Sequence, residues 1–219
     1  MIRQFLHLRR RLFGRTSDTS GVVIIEMAYT LPFMLLLGFG GMEIANLTLA
    51  NTRISQITLS VADNAARIAS GSNLVTPQIR EIDINEVFLA AQLQSGELNF
   101  LTNGRARLSS LEVNSLGGQL IKWQRCYGNR PASPSSFGVT NAGAGVTTFP
   151  GMGPPGKEVK AVAGSAVMFV EVYYTYQPLL FGSWLGTQTI RSTAAFTVRE
   201  SRDLSQVYNP SPAVPVASC

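Results

Sequence analysis

Residues 20–41 read S-G-V-V-I-I-E-M-A-Y-T-L-P-F-M-L-L-L-G-F-G-G, an almost wholly apolar run holding one carboxylate, Glu26. The run extends to Thr52 with a single further charge, Glu43. A helix needs ~20 apolar residues to cross ~30 Å of hydrocarbon, so this segment is long enough for a membrane span. A carboxylate inside a bilayer costs several kcal/mol, roughly 2.5–3.5 on insertion scales for Asp, and such residues usually serve a function. A plain anchor gives Glu26 none.

Working outward from this run, charge sets the topology. The chain has 219 residues and a formal net charge of +5. Before Gly21, Arg3, Arg9, Arg10, Arg11 and Arg15 are opposed only by Asp18, whereas acids and bases nearly balance from Arg53 onward. The excess positive charge therefore belongs to a short head at residues 1–21. A nucleic-acid binder spreads Lys and Arg over a folded face with aromatic partners, so no nucleic-acid partner is expected. Arginines flanking a span stay in the cytoplasm, which sends the C-terminal part across the bacterial inner membrane into the periplasm. Cys126 and Cys219, the two cysteines of the chain, then lie where a disulfide persists. Within one chain they pair in a single way, the alternative being two free thiols. A bond between them would fasten a Pro-rich tail at residues 205–219 and close a long loop, for which chain entropy suggests up to ~4–5 kcal/mol.

Three readings compete for the apolar segment. A secretory signal peptide has a shorter apolar core and a small-residue cleavage site, and both are missing here. An uncleaved single-pass anchor bearing a periplasmic structural or binding domain explains the arginines and the span but not Glu26. The third reading uses every residue: cleavage of the Gly21–Val22 bond makes Glu26 the fifth residue of the mature chain. It also frees an α-amino group on Val22 at the positive end of a helix. In a bundle of such helices, a carboxylate of one subunit can neutralise the amine of its neighbour. Gly21 presents no side chain to the peptidase.

This arrangement of basic leader, glycine, four apolar residues, glutamate and long apolar helix resembles the processing site of type IV prepilins. The run V-I-I-E-M-A-Y-T-L-P-F-M-L-L-L-G-F-G-G-M-E-I-A is similar to the TadE-like (TadE/TadG) pseudopilins of tight-adherence, or Flp, pilus systems, through Glu26, Ala28, Pro32 and Glu43. The later V-E-V-Y-Y-T-Y-Q-P-L-L, Val170 to Leu180, also resembles that family's C-terminal strand. Met27 and the length of the chain set it apart from the small major pilin, so the resemblance points to a minor or accessory pilin. It implies processing by prepilin peptidase after Gly21 and a part in pilus assembly and surface attachment. The implied partners are other pilins and pseudopilins, the peptidase, the inner-membrane assembly platform and the lipid bilayer. Glu26, Pro32 and Glu43 would serve assembly, although near the outer interface Glu43 can also simply reach water.

Past the span, Leu47, Ile54, Val61 and Ile68 recur every seven residues, with Ala50 and Ile57 in the companion position. The helix is therefore expected to run on as a stalk over residues 22–70, stopped by Gly71. Its seam either faces a partner or packs on the chain's own head. In the head, residues 71–204, Thr76-Pro77 suggests a short helical turn, and Asp83-Ile84-Asn85-Glu86 suggests a capping box opening a helix that Gly96 ends. Alternation marks strands at Arg107–Val113, Gln119–Cys126, Val167–Tyr176 and Gln188–Val198. Residues 131–156 are rich in Pro and Gly and read as an irregular loop. The fold class is thus α+β: a long N-terminal transmembrane helix and a small periplasmic head with an antiparallel sheet of about four strands.

The chemistry of an enzyme is not visible. The one histidine, His7, lies in the leader, so no imidazole serves the head, and two distant cysteines make no zinc site. Gly151-Met152-Gly153-Pro154-Pro155-Gly156 spells G-x-G-x-x-G, but two prolines block helix entry. Glu112 and Glu171 can be brought together by strands, yet strand-surface carboxylates are usually solvated. Trp123, Trp184 and the tyrosines of V-Y-Y-T-Y are expected in the core or on the sheet. No cofactor and no metal are expected.

Overall fold

The computed structural model describes residues 20–68, 76–131, 135–180, 182, 186–199 and 201–219. Most of the leader, including His7, lies outside the described residues, as do Gly71 and Trp184. The fold is α+β, with one long apolar N-terminal helix and an antiparallel four-stranded sheet.

Helix α1 spans Ser20–Arg67, 48 residues. Pro32 stands inside it, where it has no N–H to offer the carbonyl of Ala28. The chain divides within this helix into two compact units, Met1–Ala45 and Asn46–Cys219. In the first unit every residue from Gly21 to Phe39 is exposed. In the second, the heptad seam is covered by the chain's own head: Ala50, Ile54, Ile57 and Val61 are buried, as are Ala62, Ala65 and Ala66. Small residues in the last two turns let other elements come close to the backbone. Thr58, also fully buried, satisfies its hydroxyl by donating to the carbonyl of Ile54 at 2.7 Å.

The head continues with strand β1 (Gln78–Arg80), helix α2 (Glu81–Ser95), a short 3-10 turn, helix α3 (Phe100–Asn103) and strands β2 (Gly104–Val113), β3 (Gln119–Tyr127), β4 (Val167–Thr175), β5 (Thr189–Thr197) and β6 (Asp203–Tyr208). Thr76-Pro77 makes no helical turn. Its residues are extended, and the Pro77 carbonyl accepts the N–H of Asp203 at 2.8 Å. Helix α2 begins two residues before the expected cap. Arg80 holds the N-cap position and Asp83 is the third helical residue, its carboxylate accepting the Arg80 backbone N–H at 3.1 Å. An acid at that position reaches back to the cap as well as a Ser or Asp reaches forward from it. Gly96 ends the helix, as expected.

The sheet has the order β3-β2-β4-β5, every neighbour antiparallel. Strands β1 and β6 form a separate parallel pair. One face of the large sheet carries Ala106, Leu108, Met168, Val170, Val172 and Tyr174 into a core shared with α1 and α2. The other face carries Leu111, Ile121, Val167 and Phe169 against Met152, Phe137 and Phe149. Covered on both sides, β4 is buried along its whole length save Thr175. The alternation expected over Val167–Tyr176 is therefore not one of buried against solvated positions: both faces are buried, and apolar residues occupy both. Between Ser110 and Leu111 the register with β3 slips by one residue. The bulge lets Trp123 face the helices while Ile121, two residues earlier, faces the opposite core.

The Gly/Pro-rich loop is more than a connection. Its described part supplies Phe137, Ala142, Phe149 and Met152 to the second core. At Gly143, φ is +87° and an added Cβ would sit 2.1 Å from the carbonyl of Gln119, so only glycine lets the loop lie this close. The letters G-M-G-P-P-G form a turn closed by a two-way bridge between Met152 and Val159. No helix follows, and nothing here cradles a phosphate.

Candidate functional site

Of the residues singled out at the amino end, Gly21, Val22, Glu26 and Pro32 are exposed on helix α1. Gly21 and Val22 stand in the first turn of α1, Glu26 one turn further on, all exposed. A Cβ on Gly21 would meet nothing within 4 Å, so packing within the chain does not require glycine there. The Glu26 carboxylate has no hydrogen bond or ion pair among the described residues; the bond at this residue runs from the Thr30 hydroxyl to its backbone carbonyl, 2.9 Å. Pro32 interrupts the same stretch. Glu43, by contrast, is buried, with 3 % of its surface exposed.

Cys126 and Cys219 are joined in a disulfide, their Cα atoms 4.8 Å apart across 93 residues of sequence. Around it the tail is tied at several points. The Cys126 N–H donates to the carbonyl of Ala217 at 2.7 Å, and Asn85 Nδ2 donates to that of Pro215 at 2.9 Å. The tail thus occupies the outer edge of β3 at its C-terminal end. Toward the other end of that edge, Ile121 exchanges backbone bonds with Ala142 and Asn141 of the loop.

Buried charges organise the head: Glu81, Arg107, Glu112, Glu171 and Arg202. Glu171 and Glu112 do not meet: the pairing of Arg107 with Glu171 puts Glu171 on the loop-covered face, and Glu112 lies on the helix-covered one. Nor are they solvated. Glu171 is fully buried, accepts bonds from the Ser135 hydroxyl (2.6 Å) and the Tyr173 hydroxyl (3.1 Å), and has Arg107 and Arg191 each at 3.8 Å. Residues 135–137 close over it and exclude water. Glu81, in the first turn of α2, is held by a two-pronged pair with Arg125 of β3, whose Nε lies 2.9 Å from Oε2. This pair locks the helix to the sheet. Arg202 donates through Nη1 to the carbonyls of Ala65 and Ile68, at 3.2 and 2.9 Å. Burial pulls its guanidinium down to about 10, opposed by the charge of Glu112, and burial pushes the Glu112 carboxyl up. Each of these charges has a partner that fixes structure.

Sequence reading found neither Glu81 nor Arg202. Glu81 precedes the expected helix start, and an arginine far along the chain carries no local mark of what it caps. Trp123, Tyr173, Tyr174 and Tyr176 are buried and build the core and sheet. Where α1 enters the second unit, a cleft of about 330 Å³ is lined by Asn46, Leu49, Arg53, Asn103, Tyr176 and Leu179 among others. Asn46 Nδ2 donates to the Tyr176 hydroxyl at 2.7 Å within it. Among the described residues no group of three or more His, Cys, Asp or Glu could hold a metal ion. The described residues thus comprise an exposed apolar helix bearing the carboxylate of Glu26, and a head tied by a disulfide. Compared with family models, curated proteins and solved structures, the chain matches none.

Proposed function

We propose that this chain is a minor pilin or pseudopilin of the TadE-like kind, cut after Gly21 by prepilin peptidase and acting in tight-adherence pilus assembly. The observation that carries the reading is Glu26. It is an ionisable side chain without a partner among the described residues, on an exposed apolar helix, at the fifth position after a glycine whose lack of a side chain the described fold does not need. Helix α1 is long and apolar enough to cross a membrane by length and composition. On this reading it is the single span, with the leader in the cytoplasm and the head in the periplasm.

The amine freed on Val22 and the carboxylate of Glu26 are chemically complementary. In one subunit they lie about one helical turn apart, and in neighbouring subunits shifted along the bundle they meet across the interface. A carboxylate that is costly in lipid thereby gains a partner only on assembly. Intact-mass and N-terminal analysis of the protein from a host with active prepilin peptidase tests the cut. A mature chain starting at Val22 is expected. A chain retaining its leader would replace this reading with that of an uncleaved anchor for a periplasmic domain.

A further inference from the structure

Leu49, Leu179 and Leu180 are conspicuous on the Asn46–Cys219 unit, with 61, 59 and 52 % of each exposed. Leu49 lies on α1 one turn after Asn46, where the helix enters the unit. Pro178 and Leu179 follow the end of β4 and line the same cleft as Leu49. From Val172 to Ile190 the sequence holds no charged residue. Arg53, one helical turn beyond Leu49 and exposed, lines the cleft as well, as does the exposed carboxylate of Glu97.

An uncharged loop with exposed leucines, close to an exposed arginine, suits a membrane surface. Exposed leucines gain by leaving water for the boundary between headgroups and acyl chains. An arginine one turn away can lay its stem on the apolar patch and present its guanidinium to lipid phosphate. Chain connectivity supplies the rest. On the reading proposed above, the apolar part of α1 is in the bilayer, so the residues at which it enters the second unit lie at the bilayer surface.

We infer that Leu179 and Leu180, together with Leu49, form a second lipid contact that dips into the outer face of the bilayer and holds the head against it. The inference rests on the membrane reading of α1 and adds a site to it. The occupant is the lipid surface itself, with Arg53 meeting anionic headgroups.

The test uses the full-length chain in nanodiscs of phosphatidylethanolamine and phosphatidylglycerol, with bromine-bearing lipid as a contact quencher. In a Trp184→Phe background the buried Trp123 gives a constant signal, and tryptophan is placed in turn at Leu180, at Leu179 and, as a marker of the span, at Ile44. The expected result is loss of emission and a shift to shorter wavelength for Leu180→Trp and Leu179→Trp in brominated discs, as for Ile44→Trp. If Ile44→Trp is quenched while both loop variants emit as in water, the lipid contact is wrong and the membrane span stands. If none of the three is quenched, both fail.

Discussion

Arg202 closes the C-terminal end of α1 from 134 residues away: its Nη1 lies 2.9 Å from the carbonyl oxygen of Ile68. The last carbonyls of a helix have no partner within it and must find one elsewhere. Here no glycine cap is used among the described residues, and a buried guanidinium takes the position instead. Its charge suits the negative end of the helix dipole.

Replacing Arg202 with Leu strands those carbonyls in a buried site. An unsatisfied buried acceptor costs ~1–3 kcal/mol, so denaturant unfolding of the head should require correspondingly less denaturant. Amide exchange at Ala65–Ile68 should quicken at the same time. Arg202→Lys should recover only part of the loss, because an ammonium is more strongly hydrated than a guanidinium and costs more to bury. Unchanged stability and exchange in the Leu variant would show that the cap is dispensable.

The disulfide ties a tail with little apolar surface of its own. Reduction, or the double replacement Cys126→Ser/Cys219→Ser, should free residues 209–219 to protease while the four-stranded sheet persists. The chain-entropy model sets the upper bound of the stability loss at ~4–5 kcal/mol for a loop this long. Limited proteolysis with mass mapping, with and without reductant, reads the first effect directly; a tail equally resistant in both conditions counts against it.

Glu112 should make the head's stability depend on pH. Burial raises its carboxyl above the ordinary value, against the hydrogen bond from Ser110 (2.8 Å) and the charges of Lys122 and Arg202. The folded state therefore holds a proton that the unfolded state has released. The contribution favours folding below the ordinary carboxylate range and fades as pH rises through the raised value. Relative to Glu112→Gln, the native protein should gain stability as pH falls from about 7 to about 4. Chemical denaturation at both values gives the comparison, and a constant difference would mean that this carboxylate titrates as if exposed.

Glu26→Ala separates insertion from assembly. On the proposed reading of α1 as a membrane span, removing the charge makes it more apolar, so membrane insertion should be preserved or improved. Co-purification with other pilins, and piliation of the strain, should fall. Normal piliation in the substituted strain would remove the assigned role from this residue.

Much of this fold can be read from the residues. The four strands of the large sheet are legible because each is long and alternates or runs apolar, and the structure extends or trims them by a few residues at their ends. The stalk seam is legible as a period of seven, but its destination is not, since a periodic apolar face looks the same whether a partner or the chain's own sheet covers it. Strand β1 has three residues and β6 six, too short to carry a pattern. Their pairing, like the Arg202 cap and the Glu81–Arg125 pair, is a relation between distant positions that no window of sequence contains. The slip at Ser110 is hidden for a related reason: alternation predicts Ile121 and Trp123 on one face, and only the partner strand's register sends them apart. At the amino end the reverse holds. Gly21, Val22 and Glu26 are conspicuous as letters, and an exposed helix adds little to what they say.

The parallel pairing of β1 with β6 bears on the order of events when the chain is made. From Arg202 onward the sequence supplies the helix cap, the partner for β1 and one half of the disulfide. A nascent chain that has not yet delivered these residues has an open helix end, a lone three-residue strand and an unpaired thiol at Cys126. Contacts so distant in sequence form late, because closing the intervening loop costs entropy before any contact repays it. The head is therefore completed late: its sheet can assemble from residues 104–197, but the domain is fastened only once the residues from Arg202 onward have joined it.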